Sequence, residues 1–192
     1  MARLRGAAAG LALLLAAGGA VFAWTRLGTG RDVRPVLRSA AWVGDVVFFR
    51  TTTWRGRIVR LFQFDMDDDF AHVGVVVRVT PDVLVAHACP TEPAAVRIDR
   101  LDELLMRDEI TAAAVFRPRA DDAEATAAAT IAEDYARRAI PFDFDFELAD
   151  DRAVYCTELV WLAYRSAGLK IGTTGRILFP ADLLQGGFFA ER

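Results

Sequence analysis

Histidine and lysine are scarce in this chain: two of the first and one of the second, Lys170, in 192 residues. Cysteine is scarce too. Cys89 and Cys156 are too few for a disulfide scaffold and lack zinc-ribbon spacing. A surplus of basic residues is missing, with 23 Lys and Arg against 26 Asp and Glu, which argues against a nucleic-acid binder. No second uncharged stretch approaches the ~20 residues needed to span a bilayer, so a polytopic membrane protein is excluded. Internal repeats and low-complexity tracts are absent apart from one alanine-rich segment. What is abundant is apolar: 54 % of residues are hydrophobic, which excludes a disordered chain. The length suits one globular domain.

Part of that apolar content sits at the N-terminus. Arg3 and Arg5 precede the uncharged run Ala7–Trp24, and small residues close it at Val21-Phe22-Ala23. This pattern predicts an export signal cut after Ala23. The run is also long enough to suggest an uncleaved anchor, with Trp24 suited to the membrane interface. A buried core helix is the competing reading, opposed by the flanking arginines and the lack of an amphipathic stripe. No cysteine follows the leader, which speaks against a lipoprotein. The expected organisation is a signal peptide or membrane anchor over 1–24, a polar linker over 25–40 and a domain over 41–192. That domain is expected to be exported and periplasmic or otherwise extracytoplasmic, held at the inner membrane if the leader stays.

Within the domain, Gly44-Asp45 predicts a turn into a buried strand over Val46–Phe49. Trp54–Phe64 has the spacing of a short amphipathic helix. Ala71–Thr80 and Val83–Ala88 predict a hairpin turning at Pro81-Asp82. Ala95–Ile98 and Ala113–Arg117 are further strands, with a short helix at Leu101–Met106 between them. Asp121–Ala139 opens acidic, ends basic and is rich in alanine, so it reads as a helix that Pro141 stops. A second long helix is expected over Tyr155–Ala167, and a Pro180-led helical turn near the end. Strands in the middle with helices around them give an α+β domain.

His72 opens one strand of the hairpin and His87 closes the other, so antiparallel pairing brings them together. Cys156 begins a helix, where backbone N–H groups and the helix dipole favour a thiolate and an oxyanion. Thiol, imidazole and a third polar group are the parts of a cysteine nucleophile. The competing reading is plain packing, with Cys156 an inert small hydrophobe and each histidine a satisfied strand residue. Cys89 lies two residues after His87 and shares its face. A zinc site from His72, His87, Cys89 and Cys156, or a Cys89–Cys156 disulfide, therefore stays open. Asp65–Asp69 lacks the glycine and terminal glutamate of a calcium loop and reads as a solvated rim. Trp54, Phe62, Phe64 and Phe70 beside it read as core or as the wall of an apolar substrate pocket.

Five segments carry a resemblance: Gly44–Phe49 (GDVVFF), Ala71–Val77 (AHVGVVV), Val85–Ala88 (VAHA), Pro141–Phe146 (PFDFDF) and Tyr155–Trp161 (YCTELVW). Together they resemble the permuted papain-like cysteine hydrolases of the YaeF/YiiX type, a circularly permuted branch of the NlpC-like peptidases. In that branch the histidine hairpin precedes the cysteine helix, as it does here. The resemblance implies a permuted papain-like fold with an antiparallel sheet packed on helices. It implies Cys156 as nucleophile, His72 as general base and His87 as the residue that orients the imidazole. Relatives often carry a carboxylate at that third position, so His87 is a departure. Glu158 is expected to make a structural hydrogen bond at the helix start, and Tyr155 to line the oxyanion site or pack. The implied activity is hydrolysis of an amide or ester through an acyl-enzyme, on a cell-wall peptide or a lipid or lipopeptide, with no cofactor and no metal. The alternatives are an acyltransferase using the same acyl-enzyme and a non-catalytic lipid- or peptide-binding domain.

Overall fold

The computed structural model describes residues 25–26, 41–52, 70–148, 152–169, 177–185 and 189. The leader, the expected helix at Trp54–Phe64 and the Asp65–Asp69 loop lie outside the described residues. So do Trp54, Phe62 and Phe64.

Six strands form one antiparallel sheet: β1 (Thr25–Arg26), β2 (Val46–Thr51), β3 (His72–Arg78), β4 (Leu84–Cys89), β5 (Ala95–Arg100) and β6 (Ile110–Phe116). Their order across the sheet is β1-β6-β2-β3-β4-β5. Among the described residues four helices accompany the sheet: α1 (Leu101–Leu105), α2 (Asp122–Arg137), α3 (Cys156–Ser166) and α4 (Pro180–Gln185). Thr25 and Arg26, expected in a linker, pair with Ala113 and Ala112 of β6.

The central strands β2, β3, β4 and β6 are mostly apolar because both sheet faces are covered there. On one face Val46, Phe48, Val73, Val75, Ala86 and Ala114 pack with Ala128, Ala129 and Ala132 of α2 and Val160, Ala163 and Tyr164 of α3. On the other face Val47, Phe49, Val76, Val85, Ala113 and Val115 pack with Leu101, Leu104 and Leu105 of α1. The alternation of side chains along a strand thus sorts every residue to the long-helix side or the α1 side. Alanines on the inner face of α2 let that helix lie close to the sheet. Its start is closed by a capping box: Asp121 accepts from the Glu124 N–H at 2.8 Å and Glu124 accepts from the Asp121 N–H at 2.9 Å.

The Gly44-Asp45 turn ties both long helices to the sheet. Gly44 has a φ of +85°, and a Cβ there would lie 2.6 Å from the Ala125 carbonyl oxygen of α2. Tyr164 of α3 donates its hydroxyl hydrogen to the Gly44 carbonyl. Buried Asp45 accepts from Arg117 Nε and Nη2, each at 2.9 Å, and from the Trp42 N–H at 2.9 Å. The Arg117 guanidinium also lies over the Trp42 ring at 4.5 Å. A two-pronged pair of this kind satisfies a carboxylate whose burial would otherwise be costly.

Gly74, in the middle of β3, is the other glycine that sterics require. A Cβ there would sit 2.6 Å from Val85 Cγ1, 2.9 Å from the Ala86 carbonyl oxygen and 3.0 Å from His87 Cβ. Two of those three atoms are backbone or the root of a side chain and cannot swing away. Gly74→Ala should therefore destabilise the domain by about 1–3 kcal/mol, the usual range for overpacking. Urea unfolding measures it, and a wild-type midpoint would contradict the close approach of β3 and β4 at this point.

Candidate active site

His72, His87 and their neighbours lie on the α1 side of the sheet. The register pairs Val75 with Ala86 and Val76 with Val85, which sets the two histidines side by side at the end of the hairpin. His72 Nε2 is 3.0 Å from His87 Nδ1, with the rings nearly perpendicular at 81° and their centroids 5.0 Å apart. The His72 ring also meets Phe49, at 5.8 Å between centroids. The absent side chain at Gly74, between His72 and Val76 on the same face, leaves room for this contact.

A carboxylate that sequence reasoning missed extends the chain. His87 Nε2 lies 3.0 Å from Asp99 Oδ2 on β5. The same oxygen accepts from Arg97 Nε at 3.0 Å and from Arg107 Nη2 at 2.8 Å. β5 alternates buried Val96 with the polar Arg97 and Asp99. A carboxylate on the face that also carries His87 was the available signal, but it needs the β4–β5 register, which places His87 opposite Arg97.

The electrostatics follow from burial. His87 is buried, and desolvation disfavours the charged imidazolium of both rings. His72 is pushed well below its ordinary 6.5, first by burial, then by the neighbouring His87 and by Arg107 and Arg97. His87 is also lowered by burial, with Asp99 opposing. Asp99 is held down at about 2, mainly by the His87 hydrogen bond. At neutral pH the arrangement is two uncharged rings on an ionised carboxylate.

Cys156 approaches from the long-helix side at the first turn of α3. The pairing of β3 with β4 ends at Val75 and Ala86, and the Val73 backbone beyond that point is among the groups that act on the Cys156 thiol. Cys156 thus packs against the cluster that contains Val73, the residue after His72. Among the described residues no hydrogen bond joins the sulfur to the His72 ring. The helix start was expected to depress the thiol pKa. Burial wins instead and pushes it up to about 11, against the opposing backbone N–H groups of Val73, Thr157 and Cys156 itself.

The start of α3 is firmly held. The Leu178 N–H donates to the Tyr155 hydroxyl oxygen at 2.8 Å, and Thr157 donates its hydroxyl hydrogen to the Leu178 carbonyl. Glu158 is buried and accepts from the Tyr155 N–H at 3.4 Å, a hydrogen bond at the helix start. Tyr155 is buried and packs on Phe146 at 5.3 Å. Phe70 is core, stacked edge-on against Phe48.

The zinc reading requires correction. Among the described residues no group of three or more His, Cys, Asp and Glu side chains is placed to hold a metal ion. The facing nitrogens of His72 and His87 are directed at each other. Cys89 Sγ is 3.0 Å from the Thr91 hydroxyl. Both cysteines are free thiols.

Since both imidazoles and Asp99 resist protonation when folded, the unfolded chain binds more protons once the pH drops below 6.5. The contribution of these three groups to stability should therefore be level above that value, be lost as the pH drops from 6.5, and be lost further from 3.8 toward 2 as Asp99 protonates. Melting temperature against pH checks this. A Tm that stays level or rises on acidification from neutral to weakly acidic pH would contradict neutral histidines.

With this geometry in view, residues 41–183 match the YaeF/YiiX, C92 family of permuted papain-like amidase enzymes. Among solved structures the chain is similar to the crystal structure of the metalloprotein YiiX from Escherichia coli O157:H7. The TM-score is 0.60 and the identity 17 %, over 77 % of this chain and 94 % of that one. At this identity the likeness is one of fold. No curated protein matches the chain.

Proposed function

The chain belongs to the family of permuted papain-like amidases, and from this membership and the geometry of its site we propose that it cleaves an acyl amide or ester through the Cys156 thiol. The observation that carries the reading is the His72–His87–Asp99 hydrogen-bond chain that opens β3, the strand against which α3, headed by Cys156, packs.

With the thiol pushed up and His72 pushed down, the resting pair is thiol and neutral imidazole rather than thiolate and imidazolium. His72 then works as a general base during attack. The sulfur bonds to the acyl carbon as its proton passes to His72. The N–H groups at the start of α3 turn to the carbonyl oxygen as it gains negative charge. The His72 proton goes to the leaving amine or alcohol. Water, deprotonated by the same ring, then releases the acid and frees the thiol.

Aromatic side chains by the helix start support an apolar acyl group. Phe146 packs on Tyr155 and on Phe142, and Phe144 beside Phe142 is 52 % exposed. A lipid or lipopeptide acyl chain suits that surface, and a cell-wall peptide is the other substrate class that superfamily likeness suggests. The leader points to an exported domain, anchored or released, facing the envelope. The neighbour's title names a metalloprotein; this chain's site is built from paired rings and a thiol, and no metal enters the proposed reaction.

On a panel of fatty-acyl and peptidyl p-nitroanilides and p-nitrophenyl esters, Cys156→Ala should abolish turnover. His72→Ala should lower kcat by about 10²–10⁴-fold, the usual worth of a positioned base. Turnover that survives Cys156→Ala would sink the thiol mechanism. Acyl transfer to an added amine that outpaces hydrolysis would make the enzyme a transferase. Ligand retention without turnover by the wild type would mark a binding domain.

A further inference from the structure

The hydrogen-bond chain on the α1 side fixes where protons sit, and so which nitrogen of His72 can act. Asp99 Oδ2 receives three contacts, from His87, Arg97 and Arg107. Guanidinium groups can only donate, and an ionised carboxylate can only accept. The His87 nitrogen facing that oxygen, Nε2, must therefore carry hydrogen. In a neutral ring this leaves His87 Nδ1 bare. The His72 nitrogen facing it, Nε2, must then donate across the 3.0 Å contact. His72 is left with a lone pair on Nδ1, the ring nitrogen nearer its own backbone, next in the chain to Val73, whose cluster Cys156 packs against.

We infer that Asp99 is a positioning residue that acts through His87 to hold both histidines as Nε2–H tautomers, leaving His72 Nδ1 as the proton acceptor for Cys156. The inference rests on the thiol reading above and adds to it a role for a fourth residue on a third strand. No proton moves beyond His72 in this scheme. The thiol proton goes to Nδ1, the Nε2–H of His72 stays donated to His87 Nδ1, and the His87 Nε2–H stays on His87, donated to Asp99.

The charges around the chain separate this role from that of a simple counter-ion. The groups that act on His72 are His87, Arg107, Arg97 and Asp99, with the Phe49 ring on its flank. Arg107 and Arg97 each act on it more strongly than Asp99 and in the opposite sense. Asp99 therefore does not present His72 with a net negative charge. What it supplies is an acceptor oxygen, locked in place by two donors. This also accounts for a histidine at the position where relatives often carry a carboxylate: the acceptor stands one strand further out, and His87 relays its direction.

With only two histidines in the chain, long-range proton–nitrogen correlation NMR of the histidine-labelled protein reads both tautomers directly and needs no substrate. Above neutral pH the wild type should show two Nε2–H rings. Asp99→Ala should leave His87 in mixed tautomers and slow alkylation of Cys156 by iodoacetamide near neutral pH at least about tenfold, since a ring in the wrong tautomer is a poor base. Asp99→Asn keeps an acceptor oxygen, which the two guanidiniums can hold toward His87. It should retain both tautomers and keep the labelling rate within about threefold of wild type. Arg100→Ala, on the same strand as Asp99, removes the ion pairs of Arg100 with Asp82 and Glu103 and should change neither readout. Thermal melts establish that each variant is folded.

A wild-type Nδ1–H ring at either position would overturn the inference. So would unchanged tautomers in Asp99→Ala, or Asp99→Asn behaving like Asp99→Ala, which would make charge the operative property. The thiol reading fails separately, if turnover survives in Cys156→Ala whatever the tautomers are.

Discussion

Two uncharged imidazoles, half-buried His72 and buried His87, joined in sequence to one ionised carboxylate, set the conditions that the rest of this structure meets. A buried ring must find partners for its polar nitrogens or lose several kcal/mol. Here His72 finds His87, and His87 finds Asp99. The contact requires β3 and β4 to approach closely at Gly74, where no side chain fits. It requires β5 in register, so that Asp99 lies on the same face as His87. It also requires Arg97 and Arg107 to hold the carboxylate. The sheet edge is thus organised by one polar chain running across three strands.

Cys156, the proposed nucleophile, stands at the start of α3. α3 packs against β3 through Val160, Ala163 and Tyr164, and its first residue packs against the cluster that contains Val73. Held by Leu178 on one side and by the Gly44 turn on the other, the helix has little freedom to shift the thiol. Burial then decides the resting protonation state. A thiol whose pKa is raised and an imidazole whose pKa is lowered exchange a proton only when an acyl carbon draws the sulfur in, which favours general-base attack over a standing ion pair.

Much of this was legible in the residues. The spacing of His72 and His87 about the Pro81-Asp82 turn places them together, because antiparallel pairing leaves no other arrangement. The alanine-rich segment with acidic start and basic end declares α2. The α+β class follows from the order of elements, and the resemblance to the permuted family follows from the histidine hairpin preceding YCTELV. Asp99 was not legible, because its contact depends on the register between two strands joined by a loop whose geometry the residue types leave open. The raised thiol pKa was not legible either. A helix start argues for a low value, and only the assembled core shows how much of the sulfur's surroundings is protein rather than water.

The central claim is that Cys156 carries the acyl group during turnover. Acid-quenched intact-protein and peptide mass spectrometry, on the full chain reacting with an activated fatty-acyl ester, tests it most directly. The account predicts a mass increase equal to the acyl group on the peptide that contains Cys156, present in the wild type and absent from Cys156→Ala. Turnover with no adduct on that peptide, or an adduct on Cys89 instead, would contradict it.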